Sequence, residues 1–132
     1  MRHTKAIKWE ARLKAVMDEI DHELEVRYGD QYPLHPARAA HGKTGSRDMD
    51  GLFDIGASFS AGFGSKHGEG YVLKVRLATL ADVPKKVVRD IHLYVANRLK
   101  EQLPKAFPDR TLEVRQDGNV FKIVGDLSLG NV

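Results

Sequence analysis

The stretch Leu112-Glu-Val-Arg-Gln-Asp-Gly-Asn-Val-Phe-Lys-Ile-Val124 decides the fold, because two runs of alternating apolar and polar residues flank a turn dipeptide. Asp117-Gly118 is the preferred pair for a two-residue type I′ turn, and such a turn sets the register of both strands. Counting outward puts Val114 opposite Phe121 and Leu112 opposite Ile123 on one face, with Glu113 opposite Lys122 on the other. A hairpin over about 111–125 cannot bury that apolar face alone. The rest of the chain must cover it.

Upstream, Asp82 is placed to cap a helix over about 83–103, with Pro84 in its first turn and Val87, Val88, Ile91, Val95, Leu99 and Leu103 as its buried stripe. Pro104 ends it. Before that, Phe53, Ile55, Ala57, Phe59, Ala61 and Phe63 alternate with Asp54, Gly56, Ser58, Ser60 and Gly62, which is the period of a half-buried strand. Gly64-Ser-Lys-His-Gly-Glu-Gly70 turns the chain, and Tyr71 to Leu80 returns, completing a hairpin over about 52–80. At the start, Ala6, Trp9, Leu13, Val16, Ile20, Leu24 and Tyr28 recur every three or four residues. They predict an amphipathic helix over about 4–28, capped by Thr4 and closed by Gly29.

The order αββαββ predicts an α+β fold: one domain over 1–132, with a four-stranded, mainly antiparallel sheet and two helices on one face. The first helix would be roughly 36 Å long, more than such a domain is wide. Trp9 would then overhang the sheet, so a two-fold homodimer through this helix is expected, with Trp9 in the contact.

Composition narrows the function classes. A chain with 42% apolar and 30% charged residues folds, and no apolar run approaches a membrane span. Without cysteine there are no disulfides or thiolate zinc sites, and with no secretory or transit pattern at the start the cytoplasm is expected. A net charge of +3 mildly favours polyanions.

Between the first helix and the first strand lie 23 residues, Gly29 to Gly51, without periodicity. Connections that long in a compact domain are uncommon and are often functional. This one concentrates His35, Arg38, His41, Lys43, Ser46, Arg47, Asp48 and Asp50. His41-Gly-Lys-Thr-Gly-Ser46 is not a P-loop, since Ala37 stands where that motif needs glycine and no apolar strand precedes it. A looser anion nest fits better: Arg38, His41, Lys43, Ser46 and Arg47, joined by Lys66 and His67 of the hairpin tip, would hold a phosphorylated small molecule or a nucleic-acid backbone. The hairpin tip is not the Gly-x-x-Gly loop of a KH domain, which joins helices. Exposed stacking aromatics are also missing from the outer sheet face, where Lys74, Arg76, Arg115 and Lys122 face Asp54 and Glu113.

The first expectation is therefore a non-catalytic module for a phosphate-bearing ligand, without a cofactor. The alternative is a small metal-assisted or acid-base hydrolase using His35, His41, Asp48 and Asp50, although their spacing does not define a metal site. A third is an oligomeric interaction protein with no small ligand.

Overall fold

The computed structural model describes residues 4–44, 50–61, 69–118 and 120–125, with side chains from residue 8 onward. Helix α1 (Thr4–Tyr28) leads through the long connection to strands β1 (Phe53–Ser60) and β2 (Gly70–Leu77); helix α2 (Lys85–Ala106) follows, then β3 (Leu112–Asp117) and β4 (Val120–Gly125). The four strands form one antiparallel sheet in the order β1-β2-β4-β3, so the second hairpin joins the first through β4. The fold is the α+β arrangement that the alternating helix and strand periods predict.

Both helical stripes close on one sheet face. Leu13, Met17, Ile20 and Leu24 of α1 and Ile91, Val95, Leu99 and Leu103 of α2 are buried with Phe53, Ile55, Val114 and Ile123 in a single core. Trp9 belongs to it. Its ring lies 4.2 Å from Phe107 and 5.7 Å from Tyr71, with the Arg110 guanidinium above it. The expectation of an overhanging Trp9 available to a partner is thus corrected: Phe107, just past α2, reaches over to cover it.

Several local expectations change in physically readable ways. Asp117 pairs with Val120 as part of the strand, so Val114 faces Ile123 and Leu112 faces Gly125, a two-residue shift from the counted register. Among the described residues none but glycine has positive φ, which rules out Asp117 as the first residue of a type I′ turn; Gly118 takes φ +64°. Because the shift is even, every side chain keeps its face. Lys122 therefore still lies on the outer face, but it is buried, sits opposite Arg115 rather than Glu113, and pairs with Asp117 at 3.0 Å.

The cap of α2 is Pro84, with no side-chain cap bond, rather than Asp82. Pro104 lies inside the helix, which continues to Ala106. In a last turn proline removes one hydrogen bond while its fixed φ still suits a helix. At the far end of β1, Phe59 is 57% exposed rather than buried. The expectations for Thr4's side chain, Phe63, Lys66 and His67, and for Ser46, Arg47 and Asp48, lie outside the described residues.

Candidate functional site

The described residues of the connection, 29–44 and 50–51, are folded against the first hairpin. His35 N donates to Ala78 O at 2.8 Å, and Gly51 N donates to Ala39 O at 2.8 Å beside a parallel bridge between Ala39 and Asp50. Arg38 locks this arrangement. Its guanidinium donates to the carbonyls of Gly51, Asp50 and Phe53 at 3.0–3.1 Å, and so acts as a clamp between the loop and β1. His35 is likewise structural, its Nδ1 accepting from Ala37 N at 3.0 Å. Lys43 is exposed.

The clamp presses His41 and Asp50 onto the last turns of α1, where Asp21 and Glu25 lie one turn apart on the same side. One donor atom from each of Asp21, Glu25 and His41 falls within 4.8 Å of the other two. Asp21 is 1% exposed, and neither of its carboxylate oxygens has a hydrogen-bond partner. Asp50 is also 1% exposed; its Oδ2 accepts from Thr44 N and Oγ1 at 3.0 and 2.9 Å, whereas its Oδ1 has no hydrogen-bond partner. Every buried carboxylate oxygen lacking a donor among the described residues belongs to this one cluster. Native proteins rarely leave such atoms unsatisfied.

Glu25 forms the floor. Its Oε1 accepts from Phe53 N at 2.8 Å, and it occupies the space beside Gly51 where any other residue would carry its side chain. His41 is oriented from outside by His22, whose Nδ1 lies 3.2 Å from His41 Nε2. The other nitrogen of His41, Nδ1, is buried 3.6 Å from Asp50 Oδ1. That is too long for a good hydrogen bond. At that distance Asp50 acts on the imidazole through its charge rather than through a hydrogen bond.

The charges follow the same geometry. Burial, reinforced by the nearby carboxylates of Glu25, Asp18 and Asp50 and opposed by Arg38, pushes the Asp21 carboxyl up to about 8. Burial also raises Glu25, against the main-chain donors of Phe53 and Leu52. Burial works against ionised Asp50 as well, but donors from Thr44 and Gly42 and the proximity of His41 together hold it below the usual carboxylate range. Two carboxyls held up by burial and one held down thus surround one imidazole. A cation among them would compensate the burial of Asp21.

Of the residues that sequence reasoning nominated, the fold brings His41 and Asp50 to this cluster, turns His35 and Arg38 to structural tasks and leaves Lys43 aside. Asp21 and Glu25 were missed. The available signal was positional: Asp21 falls four residues after Met17 and three before Leu24, in the middle of the apolar stripe, where a carboxylate is out of place. On the outer sheet face, Lys74 and Arg76 both pair with Asp54, at 3.2 and 3.3 Å, and Arg115 pairs with Glu113 at 2.6 Å, so these cations face intramolecular partners.

Fold and site together define a small α+β domain with a buried carboxylate–histidine cluster at the end of its first helix. The chain belongs to a family described as "Uncharacterised protein", whose model matches residues 4–125. It is similar to an uncharacterized protein of Borreliella burgdorferi, 35% identical over 107 residues, covering 81% of this chain and 84% of that one. No solved structure matches it. Among the described residues no helix is long and apolar enough to cross a membrane.

Proposed function

We propose that this protein is a metal-assisted hydrolase, its divalent ion held by Asp21, Glu25 and His41 with Asp50 steadying the histidine. The observation that carries this reading is the Asp21 carboxylate, fully buried and unpaired, within reach of the other two donors. One imidazole and several carboxylates suit zinc or another first-row divalent ion. A cleft of about 440 Å³, lined by Glu25, His41, Tyr32, Leu34 and Leu52, leads to two of the three donors, so a water molecule and a substrate have a route in. The ion would acidify that water and polarise the substrate. Arg38 would hold the loop that carries His41 and Asp50, and the apolar wall of the cleft would exclude bulk solvent.

The first expectation from the sequence, a non-catalytic phosphate cradle, draws less support, because Arg38 is engaged by three main-chain carbonyls and, of the nominated cations, only exposed Lys43 remains among the described residues. A phosphorylated small molecule or nucleic acid stays a candidate substrate class rather than a reason for binding. The cysteine-free composition keeps the cytoplasm as the proposed compartment.

Untagged protein should purify with, or take up from dialysis, close to one divalent ion per chain, and metal content with thermal shift would measure it. Absence of both stoichiometric uptake and a thermal shift with zinc, manganese, cobalt and nickel would refute the site. Metal-loaded protein inert towards ester, amide and phosphodiester substrates would keep the site and remove the hydrolase. Asp50→Asn should retain the fold and weaken metal affinity by about 10–100-fold, the usual effect of losing a group that supports a histidine ligand. Titration against a competing chelator reads this out, and unchanged affinity would mean that Asp50 does not steady His41.

A further inference from the structure

We infer that two copies of this chain pair through the outer edge of β1, extending two four-stranded sheets into one of eight strands. This goes beyond the metal site and does not depend on it.

Strand β1 lies at one end of the sheet, paired to β2 along all eight residues from Phe53↔Leu77 to Ser60↔Gly70. In an antiparallel pair alternate residues turn their main-chain groups inward and outward. The phase is visible here: Leu52 O accepts from Ala78 N on the β2 side, whereas Phe53 N and O bond Glu25 and Arg38 on the opposite side. It follows that Ile55, Ala57 and Phe59 aim their N–H and C=O groups at the open edge. The site residues occupy the edge at Phe53 and leave these three uncovered by any strand among the described residues.

Natural edge strands are usually protected by charge, proline, bulges or shortness. The opposite edge, β3, has six residues and carries Glu113 and Arg115. In β1 no residue from Ile55 to Ser60 is charged or proline, and its register with β2 runs without a bulge. It is an edge built to be covered.

The occupant is specified by shape. Beside the strand runs a groove of about 620 Å³ between β1 and α1, with Leu13, Met17 and Ile55 as its apolar lining and Lys14 and Asp18 at its rim. All five residues from Ile55 to Phe59 line it, so it opens along the edge of the strand rather than over one face. On the same edge Phe59 stands 57% exposed, its ring held by an edge-on contact with Tyr71 at 5.6 Å. An exposed ring and an apolar groove on one surface are what a self-complementary two-fold contact needs.

Antiparallel pairing about an axis at Ala57 sets Ala57 against its own copy and Ile55 against the partner's Phe59. All three outward residues then exchange both main-chain bonds, six in total by the alternation rule. Each Phe59 ring would lie over the other copy's Ile55, in the groove that Leu13 and Met17 help to line. Helix α1 does contribute to the dimer in this arrangement, through the groove wall rather than through Trp9.

Sedimentation of the full chain in chelator, at micromolar concentration, should give twice 14.8 kDa. Phe59→Asp should weaken the dimer by about 30-fold or more, as for a buried aromatic at an interface centre. Ala57→Pro should do the same, because it removes an outward N–H that the monomer's own sheet does not use, and edge strands tolerate proline. Circular dichroism would verify the fold of each variant. In this cysteine-free chain, Ala57→Cys should oxidise to a disulfide-linked dimer, since facing residues of a hydrogen-bonded pair are about 5.5 Å apart at Cα, within disulfide range. A wild-type monomer at these concentrations would overturn the inference, as would a dimer that folded Phe59→Asp leaves intact and Ala57→Cys fails to link. Since the measurement is made without metal, neither result bears on the metal site.

Discussion

Asp21→Asn is expected to stabilise the metal-free protein and to remove metal binding, two large effects of opposite value to the molecule. Asparagine keeps the size of the side chain and carries no charge into a site where burial and three neighbouring carboxylates already disfavour ionisation. The folded state holds the Asp21 proton to about pH 8, whereas an unperturbed aspartate releases it near 3.8. Protons therefore favour folding at this residue: its contribution is fully present below pH 3.8 and is lost as the pH rises towards 8. At pH 8 the substitution should recover on the order of 3 kcal/mol, discounted for relaxation of the site.

Metal changes the sign of the argument. An ion that binds the Asp21 carboxylate must displace its proton, so uptake at neutral pH should release protons and grow tighter with rising pH. Asparagine offers only a neutral carbonyl oxygen, and affinity should fall by about 100-fold or more. Denaturant melts of both proteins from pH 5 to pH 9, with and without metal, test both halves. A wild-type protein whose metal-free stability does not fall over that range relative to Asp21→Asn would mean that Asp21 is not held protonated.

Gly51→Ala is the second. Gly51 has φ +74°, a conformation that costs an L-residue about 1 kcal/mol or more, and an added Cβ would collide with the Glu25 carboxylate. Together these should destabilise the protein by roughly 2–4 kcal/mol and displace Glu25 from the metal site. Gly118→Ala supplies the control. Gly118 has a similar φ of +64° with open space around it, so only the backbone penalty of about 1 kcal/mol applies. In a double-mutant cycle, Glu25→Ala should relieve the steric part of the Gly51→Ala cost and leave the backbone part. Equal losses at Gly51 and Gly118 would show that Glu25 does not press against residue 51.

Helices and strands were legible from the sequence because their periods are local properties of the chain. The spacing from Leu13 to Leu24 specifies a stripe, and alternation around Lys74 and Arg76 specifies a strand, whatever packs on them. The interest of the Gly29–Gly51 connection was also legible, since so much chemistry without periodicity is rarely filler, and His41 and Asp50 came from it. Turn register was less secure. Whether Asp117 ends the strand or begins the turn depends on the sign of one φ and on the Asp117–Lys122 pair, and the dipeptide alone does not decide between them.

The site itself was decided in three dimensions. Asp21 stands in the apolar stripe with no partner legible in the sequence until the Arg38 clamp folds the loop back and closes the cluster over it, bringing in Asp50 from 29 residues away. Trp9 shows the reverse, a residue that looked unpartnered until Phe107 closed over it. The sequence by itself determined the elements, their order and which face of each is apolar, because periodicity acts over a few residues. Only the tertiary structure decided which charges become buried together and which strands lie at the two ends of the sheet, because desolvation and strand adjacency depend on segments far apart in the chain.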